Sequence, residues 1–212
     1  MKLLYKELAL AAHPTLFVFT VLGCLVIVPS YPYAVIFLFG CLAPFMTFLF
    51  ARENNDSWYT AILPVKKREI VKAKCMLIML AQLGQLAVSV PFALLREALD
   101  IPNNPVGMDA NLAWYGCGLI IFSLFNSVFF PAYYRSGYKA GRSFLLAIIP
   151  VVIGMVITEG MVHLPGLSWL DSTAPGDMIL QLPIFIIGCL FYLLCMLMAY
   201  HTAAKRFERV DL

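Results

Sequence analysis

Few side chains in this sequence can do acid–base or metal chemistry. Glu159 and His163 stand four residues apart near the end of an apolar run, so on a helix they share one face. A carboxylate beside an imidazole can bind a metal or pass a proton, but two ligands are too few for a tetrahedral site. We therefore expect a hydrogen-bonded pair, and we predict neither a metal site nor a catalytic residue in this chain.

Polar side chains also recur on one face of each of two other apolar segments. They are Gln82, Gln85 and Ser89 in one segment, and Ser123, Asn126 and Ser127 in the next. Polar groups are costly in hydrocarbon, so each is a candidate functional residue. Small and amide side chains also bond neighbouring helices to one another. The residues therefore predict either helix–helix contacts or a partly polar translocation path or dimer seam.

Three sequence motifs of well-known enzyme classes are absent from this sequence. It contains no H-E-x-x-H, no G-x-S-x-G and no G-x-x-x-x-G-K-[ST] phosphate loop. Its six cysteines show no C-x-x-C spacing, which argues against a zinc site or a disulfide framework. The chain therefore needs a partner if ATP is to drive its activity, and we expect it to bind no cofactor of its own.

These candidate residues lie on segments that read as long apolar helices. The chain is 62% hydrophobic and 13% charged, and crossing ~30 Å of hydrocarbon takes about 20 apolar residues in a helix. Six stretches qualify: His13–Val28, Tyr33–Ala51, Ala73–Leu95, Leu112–Tyr134, Ser143–His163 and Met178–His201. We predict an all-α polytopic membrane protein in which residues 1–212 form a single transmembrane domain.

Positive charge identifies one side of the membrane. Fourteen of the 15 Lys and Arg residues fall in four clusters between apolar runs, and Arg96 is the exception. The clusters are Lys2/Lys6, Arg52 to Lys74, Arg135/Lys139/Arg142 and Lys205/Arg206/Arg209. Cytoplasmic loops retain such charge, so we place the clusters and both termini in the cytoplasm. The net charge of +3 belongs to these loops and does not indicate a nucleic-acid partner.

The first twelve residues predict an amphipathic helix that lies in the inner membrane interface. Leu4, Leu8 and Ala11 recur at helical spacing, and Lys6 and Glu7 fall off that face. Pro14 then marks a bend into the first span, because proline is tolerated in a first helical turn.

The longest cytoplasmic connection divides at Pro64. Its first part, residues 52–63, opens with asparagine and aspartate, which cap helix N-termini. Trp58, Tyr59, Ile62 and Leu63 then share one face, which predicts a short amphipathic helix between spans two and three. The second part is a basic helix start that runs into the third span. Aromatic rings and lysines also suit a membrane interface, so this pattern alone leaves the role of the helix open.

The order of features in this connection resembles that of small type 2 ABC transporter permeases, most closely the compact bacterial branch that includes peptide exporters. The matching residues are Asp56, Trp58, Leu63-Pro64-Val65, Arg68-Glu69-Ile70-Val71 and Lys74. The six-span layout and the N-terminal helix extend the resemblance over the whole chain in outline, and residues 56–74 are its specific part.

The resemblance implies partners and a mechanism. In that family two permease chains pair, as a homodimer or a related heterodimer, and each binds an ABC ATPase subunit that holds ATP and Mg. The short helix between spans two and three contacts the ATPase and transmits its closure as a rigid-body movement. By this resemblance the ATPase-coupling residues are Glu53, Asp56, Trp58, Tyr59 and Ile62, supported by residues 2–12.

The sequence therefore predicts the permease subunit of an ABC exporter in a bacterial cytoplasmic membrane. Its short outer loops and apolar spans favour an amphipathic or hydrophobic cargo, such as a peptide, an antimicrobial or a lipid-like compound. The alternatives are an ATP-independent immunity or scaffold protein and, with less support, an intramembrane enzyme. Association of the chain with an ATPase would distinguish the exporter hypothesis from these alternatives.

Overall fold

The computed structural model describes residues 2–54, 56, 59, 64–102, 104–136 and 139–209, without the side chains of Lys2, Leu10 and Ala11. Its α-helices are α1 Lys2–Lys6, α2 Pro14–Val21, α3 Ala34–Glu53, α4 Lys67–Ala98, α5 Leu112–Arg135, α6 Ala140–Met161 and α7 Pro175–Glu208. A π-helical turn follows α1 (Glu7–Ala11), a 3₁₀ helix extends α2 (Leu22–Ile27), and a second 3₁₀ turn precedes α7 (Ser168–Leu170).

Within the described residues, five helices, α3 to α7, are long and apolar enough to cross a membrane. The N-terminal segment supplies a sixth if the helical stretches Leu3–Ala9 and Pro14–Ile27, which are bent by 85° relative to each other, count as one span. The bend lies at Pro14, as expected, where the His13 side chain accepts a hydrogen bond from the backbone amide of Thr15 (3.2 Å). The prediction of an all-α polytopic membrane protein is confirmed.

Helix α5 forms the centre of the bundle. Of its apolar segment, 67% is buried, against 17% for α6. Helix α5 is therefore surrounded by other helices, whereas α6 exposes most of its apolar side chains. The ring of Phe48 on α3 packs nearly perpendicular to the rings of Phe129, Phe130 and Tyr133, at centroid distances of 5.4, 5.6 and 4.7 Å. Edge-to-face aromatic packing of this kind stabilises a core beyond its burial alone.

Helices α5 and α7 cross where each carries a glycine. A Cβ added at Gly188 would lie 2.5 Å from the carbonyl oxygen of Gly116. A Cβ added at Gly116 would lie 2.7 Å from the carbonyl oxygen of Ile184. Backbone atoms cannot move aside as a flexible side chain can, so this crossing requires both glycines. Small residues allow such close backbone approach between membrane helices.

The predicted cytoplasmic segments meet at one end of the bundle. Arg68, in the first turn of α4, pairs with Glu208 at the end of α7 (2.6 Å). Arg206, in the last turn of α7, donates a hydrogen bond to the carbonyl of Pro131 near the end of α5 (2.5 Å). Lys6 of the N-terminal cluster pairs with Asp56 of the connection that follows α3. Arg135 and Arg142 of the third cluster line one pocket with Arg206, so residues of all four basic clusters lie at this end, as the predicted topology requires.

The connections at the opposite end are held together by buried polar contacts. Arg96, the one cation outside the four basic clusters, pairs with Asp109 (2.5 Å). The backbone amide of Asp109 donates to Asp171 in the next connection (2.7 Å), and Asn111 donates to the carbonyl of Leu170 (2.7 Å). Burial raises the pKa of Asp171 above its usual value, since the hydrogen bond from Asp109 only partly offsets the desolvation.

Glu159 does not bond His163, so the pairing predicted from their spacing is wrong. One carboxylate oxygen accepts the backbone amide of Ala34 (2.9 Å), and the other accepts that of Met108 (2.9 Å). Ala34 begins α3, where backbone amides have no hydrogen-bond partner within the helix. A carboxylate is stabilised by such amides at a helix N-terminus, so Glu159 bonds the Ala34 amide in preference to the His163 imidazole on its own helix. A Cβ at Gly107 would lie 1.3 Å from Glu159 Oε2, so the loop needs glycine there.

Candidate functional site

A cluster of four charged side chains joins the N-terminal segment, the 52–63 connection and α4. Lys74 Nζ lies 3.0 Å from Glu7 Oε2 and 2.7 Å from Asp56 Oδ2. Lys6 Nζ lies 3.1 Å from Glu7 Oε1 and also pairs with Asp56 Oδ1. The two cations and two carboxylates therefore alternate in a closed ring. We call these four residues the ion cluster.

The ion cluster is almost fully removed from solvent. The side chains of Lys74 and Glu7 are 5% and 1% exposed, and a buried charge is tolerated only when it is paired and hydrogen-bonded. Burial alone raises the pKa of Asp56, but the charge and hydrogen bonds of Lys74 and Lys6 outweigh it and hold that pKa below its usual value. Asp56 is therefore ionised at neutral pH. The Phe48 ring lies 5.6 Å from Lys74 Nζ and closes the apolar side.

Glu7, the first residue of the π-helical turn, belongs to the ion cluster. The sequence predicts that Glu7 lies off the buried face of the N-terminal helix, but its residue exposure is 0%, so that prediction is wrong. Glu7 stands three residues after Leu4 and directly before Leu8, so ordinary helical spacing already places it on the face that these two leucines share. Leu4 and Leu8 still pack against the core, and Glu7 joins them on the buried side. Lys74 compensates its charge.

The structure places the predicted coupling residues in different environments. Glu53 ends α3 and is exposed, and Tyr59 is helical and 55% exposed. Asp56 is helical, but its carboxylate faces Lys6 and Lys74 of the same chain. Trp58 and Ile62 lie outside the described residues. Glu53 and Tyr59 are thus open to a partner, whereas Asp56 fixes the position of the connection relative to α4.

Two of the polar residues predicted on α4 and α5 bond each other inside the chain. Gln82 Nε2 donates to Asn126 Oδ1 (3.2 Å), and Asn126 Nδ2 donates to Gln82 Oε1 (2.8 Å). The hydroxyl of Tyr192 on α7 also donates to Gln82 Oε1 (2.8 Å). All three residues are buried, so the network ties α4, α5 and α7 together near their centres.

Gln85 joins α4 to the first two helical segments. Its Nε2 donates to the carbonyls of Phe19 (2.9 Å) and Ile36 (3.0 Å). A Cβ at Gly40 would lie 2.3 Å from Gln85 Oε1, and one at Gly23 would lie 2.3 Å from the backbone oxygen of Gln85. The glycines of α3 and of the 3₁₀ helix therefore let α4 approach closely enough for these bonds.

Among the predicted serines, Ser89 contacts a second helix, whereas Ser123 and Ser127 bond within their own helix. Ser89 bonds the hydroxyl of Tyr115 (3.0 Å), while Ser123 and Ser127 donate to the carbonyls of Leu119 and Leu124 in their own helix (2.7 and 3.0 Å). Within the described residues, the bonds of Gln82, Gln85 and Ser89 join different helices of one chain, which favours helix–helix contact as the role of the polar face. Whether the same face forms a translocation path or a dimer seam stays a prediction.

We expect Gln82→Leu and Asn126→Leu each to lower the free energy of unfolding by about 1–3 kcal/mol, since each leaves a buried amide without its partner. The double variant should recover part of that loss, with a coupling of about 0.6–1.7 kcal/mol. Denaturation of the purified variants in detergent measures both values. Ser123→Ala is the matched control, because Ser123 bonds its own helix, and it should stay near wild type. Strictly additive losses would show that the two amides do not interact.

An apolar groove opens between α4 and α7, with α5 as its floor. Its volume is about 550 Å³, and it is lined by Leu83, Leu86, Ala87, Val90, Ala93, Leu94, Ala110, Asn111, Leu112, Tyr115, Leu119, Met178, Phe185, Cys189, Tyr192 and Leu193. Four of these residues also line a polar pocket of about 370 Å³ that contains Arg96, Glu97, Asp100 and Asp109. The groove thus leads from the centre of the bundle to the end opposite the ion cluster.

The arrangement suits mechanical transmission better than bond chemistry. Asp56 is joined through paired charges to Lys74 near the start of α4 and to Lys6 of the N-terminal segment. Glu7 and Tyr192 were not among the predicted site residues. The signal for Glu7 is an acid within an otherwise apolar and basic helix, whereas nothing in the sequence distinguishes Tyr192 from an interfacial tyrosine.

Comparison with known proteins identifies a family. The sequence pattern of a family described as ABC-2 family transporter protein matches residues 2–208. No curated protein and no solved structure matches the chain.

Proposed function

The chain belongs to the ABC-2 transporter family, and from this premise we propose that it is the permease subunit of an ATP-driven exporter. Membership in that family implies an ABC ATPase as partner and a multi-pass position in the membrane. It also favours a transport subunit over an intramembrane enzyme or an ATP-independent scaffold. ATP and Mg would lie on the partner ATPase, since this sequence has no phosphate loop.

The ion cluster is the observation that carries the coupling part of the proposal. Asp56 belongs to the connection between spans two and three, and its two partners belong to the N-terminal segment and to α4. A movement imposed on this connection by an ATPase is therefore passed to two membrane elements at once. Exposed Glu53 and Tyr59 offer contacts for the ATPase surface, and Trp58 and Ile62 complete the proposed contact set.

We expect Trp58→Ala to abolish ATP-driven transport while the protein still inserts in the membrane. Tryptophan is a frequent hot spot, and truncation costs about 2 kcal/mol or more, which weakens ATPase binding about 30-fold. Transport in inside-out vesicles that contain the co-expressed ATPase measures the effect. Trp58→Phe, which keeps an aromatic ring, should retain most of the activity. Unchanged transport by Trp58→Ala would argue against this contact.

The apolar groove supports an amphipathic cargo. Its walls are almost entirely apolar, and the adjoining pocket adds the exposed acids Glu97 and Asp100. A molecule with a hydrophobic body and a cationic end would match both regions. We include a short amphipathic peptide, an antimicrobial or a lipid-like compound in this class, moved outward from a bacterial cytoplasmic membrane. A second permease chain, identical or related, would complete the transporter.

We expect Ala87→Trp to reduce transport of such a cargo severalfold, because the indole would fill the groove. A fluorescent cationic amphipathic peptide in inside-out vesicles is a suitable probe. Leu80→Trp is the matched control, since Leu80 is exposed on the same helix but does not line the groove. Equal transport by the two variants would remove the groove from the transport route.

A further inference from the structure

A basic pocket lies where the inner ends of α5, α6 and α7 meet. Its volume is about 410 Å³, and it is lined by Val128, Pro131, Ala132, Arg135, Ser136, Arg142, Ser143, Leu146 and Arg206. Three of the nine residues are arginines, one from each helix, and none of the nine is acidic. The pocket is separate from the ion cluster, the apolar groove and the polar network.

The three arginines concentrate positive charge in this pocket. Arg206 is half-buried and is held in place by its hydrogen bond to the Pro131 carbonyl (2.5 Å). Arg135 and Arg142 are exposed, and among the described residues neither forms an ion pair. Each guanidinium carries five N–H donors, so most donors remain available to a ligand. Three like charges around one pocket favour an anion that binds between them.

The pocket is apolar on the side that lies further along the helices from the arginines. Val128 lies about two turns before Arg135 on α5, and Leu146 lies about one turn after Arg142 on α6. The Leu146 side chain is 48% exposed on a helix whose outward face is otherwise aliphatic. A ligand here would meet arginines at the membrane surface and aliphatic side chains deeper in the bilayer.

We propose that this pocket binds the headgroup of an anionic phospholipid from the inner leaflet. Arginine recognises phosphate with paired N–H donors, and basic pockets between membrane helices on the cytoplasmic side suit anionic lipid heads. The acyl chains run along Val128 and Leu146. A bound lipid joins the ends of α5, α6 and α7, and this role does not depend on which cargo the permease moves.

The apolar wall favours a lipid over other anions. A free phosphate ion would use the guanidinium groups alone and gain nothing from Leu146. An acidic patch on a partner protein would have to reach side chains that lie at the membrane boundary. A phospholipid matches the charge, the apolar wall and the position together.

Native mass spectrometry of the purified chain in dodecyl maltoside tests this proposal. Dioleoylphosphatidylglycerol and dioleoylphosphatidylcholine are titrated separately, and inorganic phosphate is added as a competitor. We expect one phosphatidylglycerol to bind in preference to phosphatidylcholine and to resist millimolar phosphate. Each Arg→Gln change at 135, 142 or 206 should weaken binding about fivefold, and the triple change on the order of a hundredfold.

Two further variants keep the test decisive. Arg52→Gln is the matched control, because Arg52 is exposed on the same side of the bundle but lies outside the pocket. The triple Arg→Lys variant keeps the positive charge that orients the loops, and it should bind more weakly than wild type because lysine lacks the paired donors.

Several results would overturn the proposal. Equal binding of the two lipids would remove the charge selectivity, and full competition by phosphate would show a site for the free anion. A triple Gln variant that binds phosphatidylglycerol as wild type does, but recovers less ATPase from membranes, would show that the arginines contact protein.

Discussion

Replacing Lys74 by Met is expected to lower the free energy of unfolding by about 3–5 kcal/mol, because it leaves buried Glu7 and Asp56 with one cation between them. The same change should release the 52–63 connection from α4 and uncouple ATP hydrolysis from transport. Thermal unfolding in detergent measures the first effect. The ratio of transport to ATPase activity in vesicles measures the second.

Lys72→Met is the matched control for this change. Lys72 lies on the same helix but is exposed, so its loss should alter stability by only a few tenths of a kcal/mol. Adding Glu7→Gln to Lys74→Met restores a one-to-one balance of charges and should recover part of the stability. If Lys74→Met unfolds at the same temperature as Lys72→Met, the ion cluster does not stabilise the protein.

Gly188→Ala is expected to lower the free energy of unfolding by about 1–3 kcal/mol, the usual cost of overpacking a close contact. The new methyl group would lie 2.5 Å from the carbonyl oxygen of Gly116. Helices α5 and α7 must therefore separate, which also strains the bond from Tyr192 to Gln82 four residues further along α7. Chemical denaturation and the recovery of folded protein from membranes measure the effect.

Gly160→Ala provides a control with the opposite expected sign. Among the described residues, nothing beyond the local backbone of α6 lies within 4 Å of a Cβ built at Gly160, and alanine favours a helix over glycine by about 1 kcal/mol. This variant should equal or exceed the wild type in stability. If both alanine variants are stable, the α5–α7 crossing tolerates more separation than its geometry indicates.

Hydrophobicity and charge alone predict the architecture of this chain. The apolar runs correspond to the helices because a membrane helix satisfies its own backbone hydrogen bonds, so length and composition are sufficient. The four basic clusters meet at one end for the same general reason. Glu159 shows the limit of spacing rules, since its partners Ala34 and Met108 are far away in sequence.

The sequence predicts less of the candidate site than of the architecture. The resemblance identifies Asp56 and Lys74, but it gives no indication that they bond each other or that Glu7 completes their charge balance. Glu7 shares the helical face of Leu4 and Leu8, but spacing alone does not show that a buried lysine meets its carboxylate there. Polarity identifies Gln82 and Asn126 as candidates but does not predict that they bond each other, and Tyr192, which bonds Gln82, is 110 residues away from it. Long-range packing decides these contacts.

The central claim is that this permease receives energy from a separate ATPase through the 52–63 connection. The most direct test purifies the tagged chain from its native membrane in mild detergent and identifies co-purifying proteins by mass spectrometry. We predict an ABC ATPase in near-stoichiometric amount, lost from the Asp56→Asn, Trp58→Ala double variant and retained by Lys72→Met. A chain that purifies alone, under conditions in which other ABC complexes stay intact, would contradict the claim.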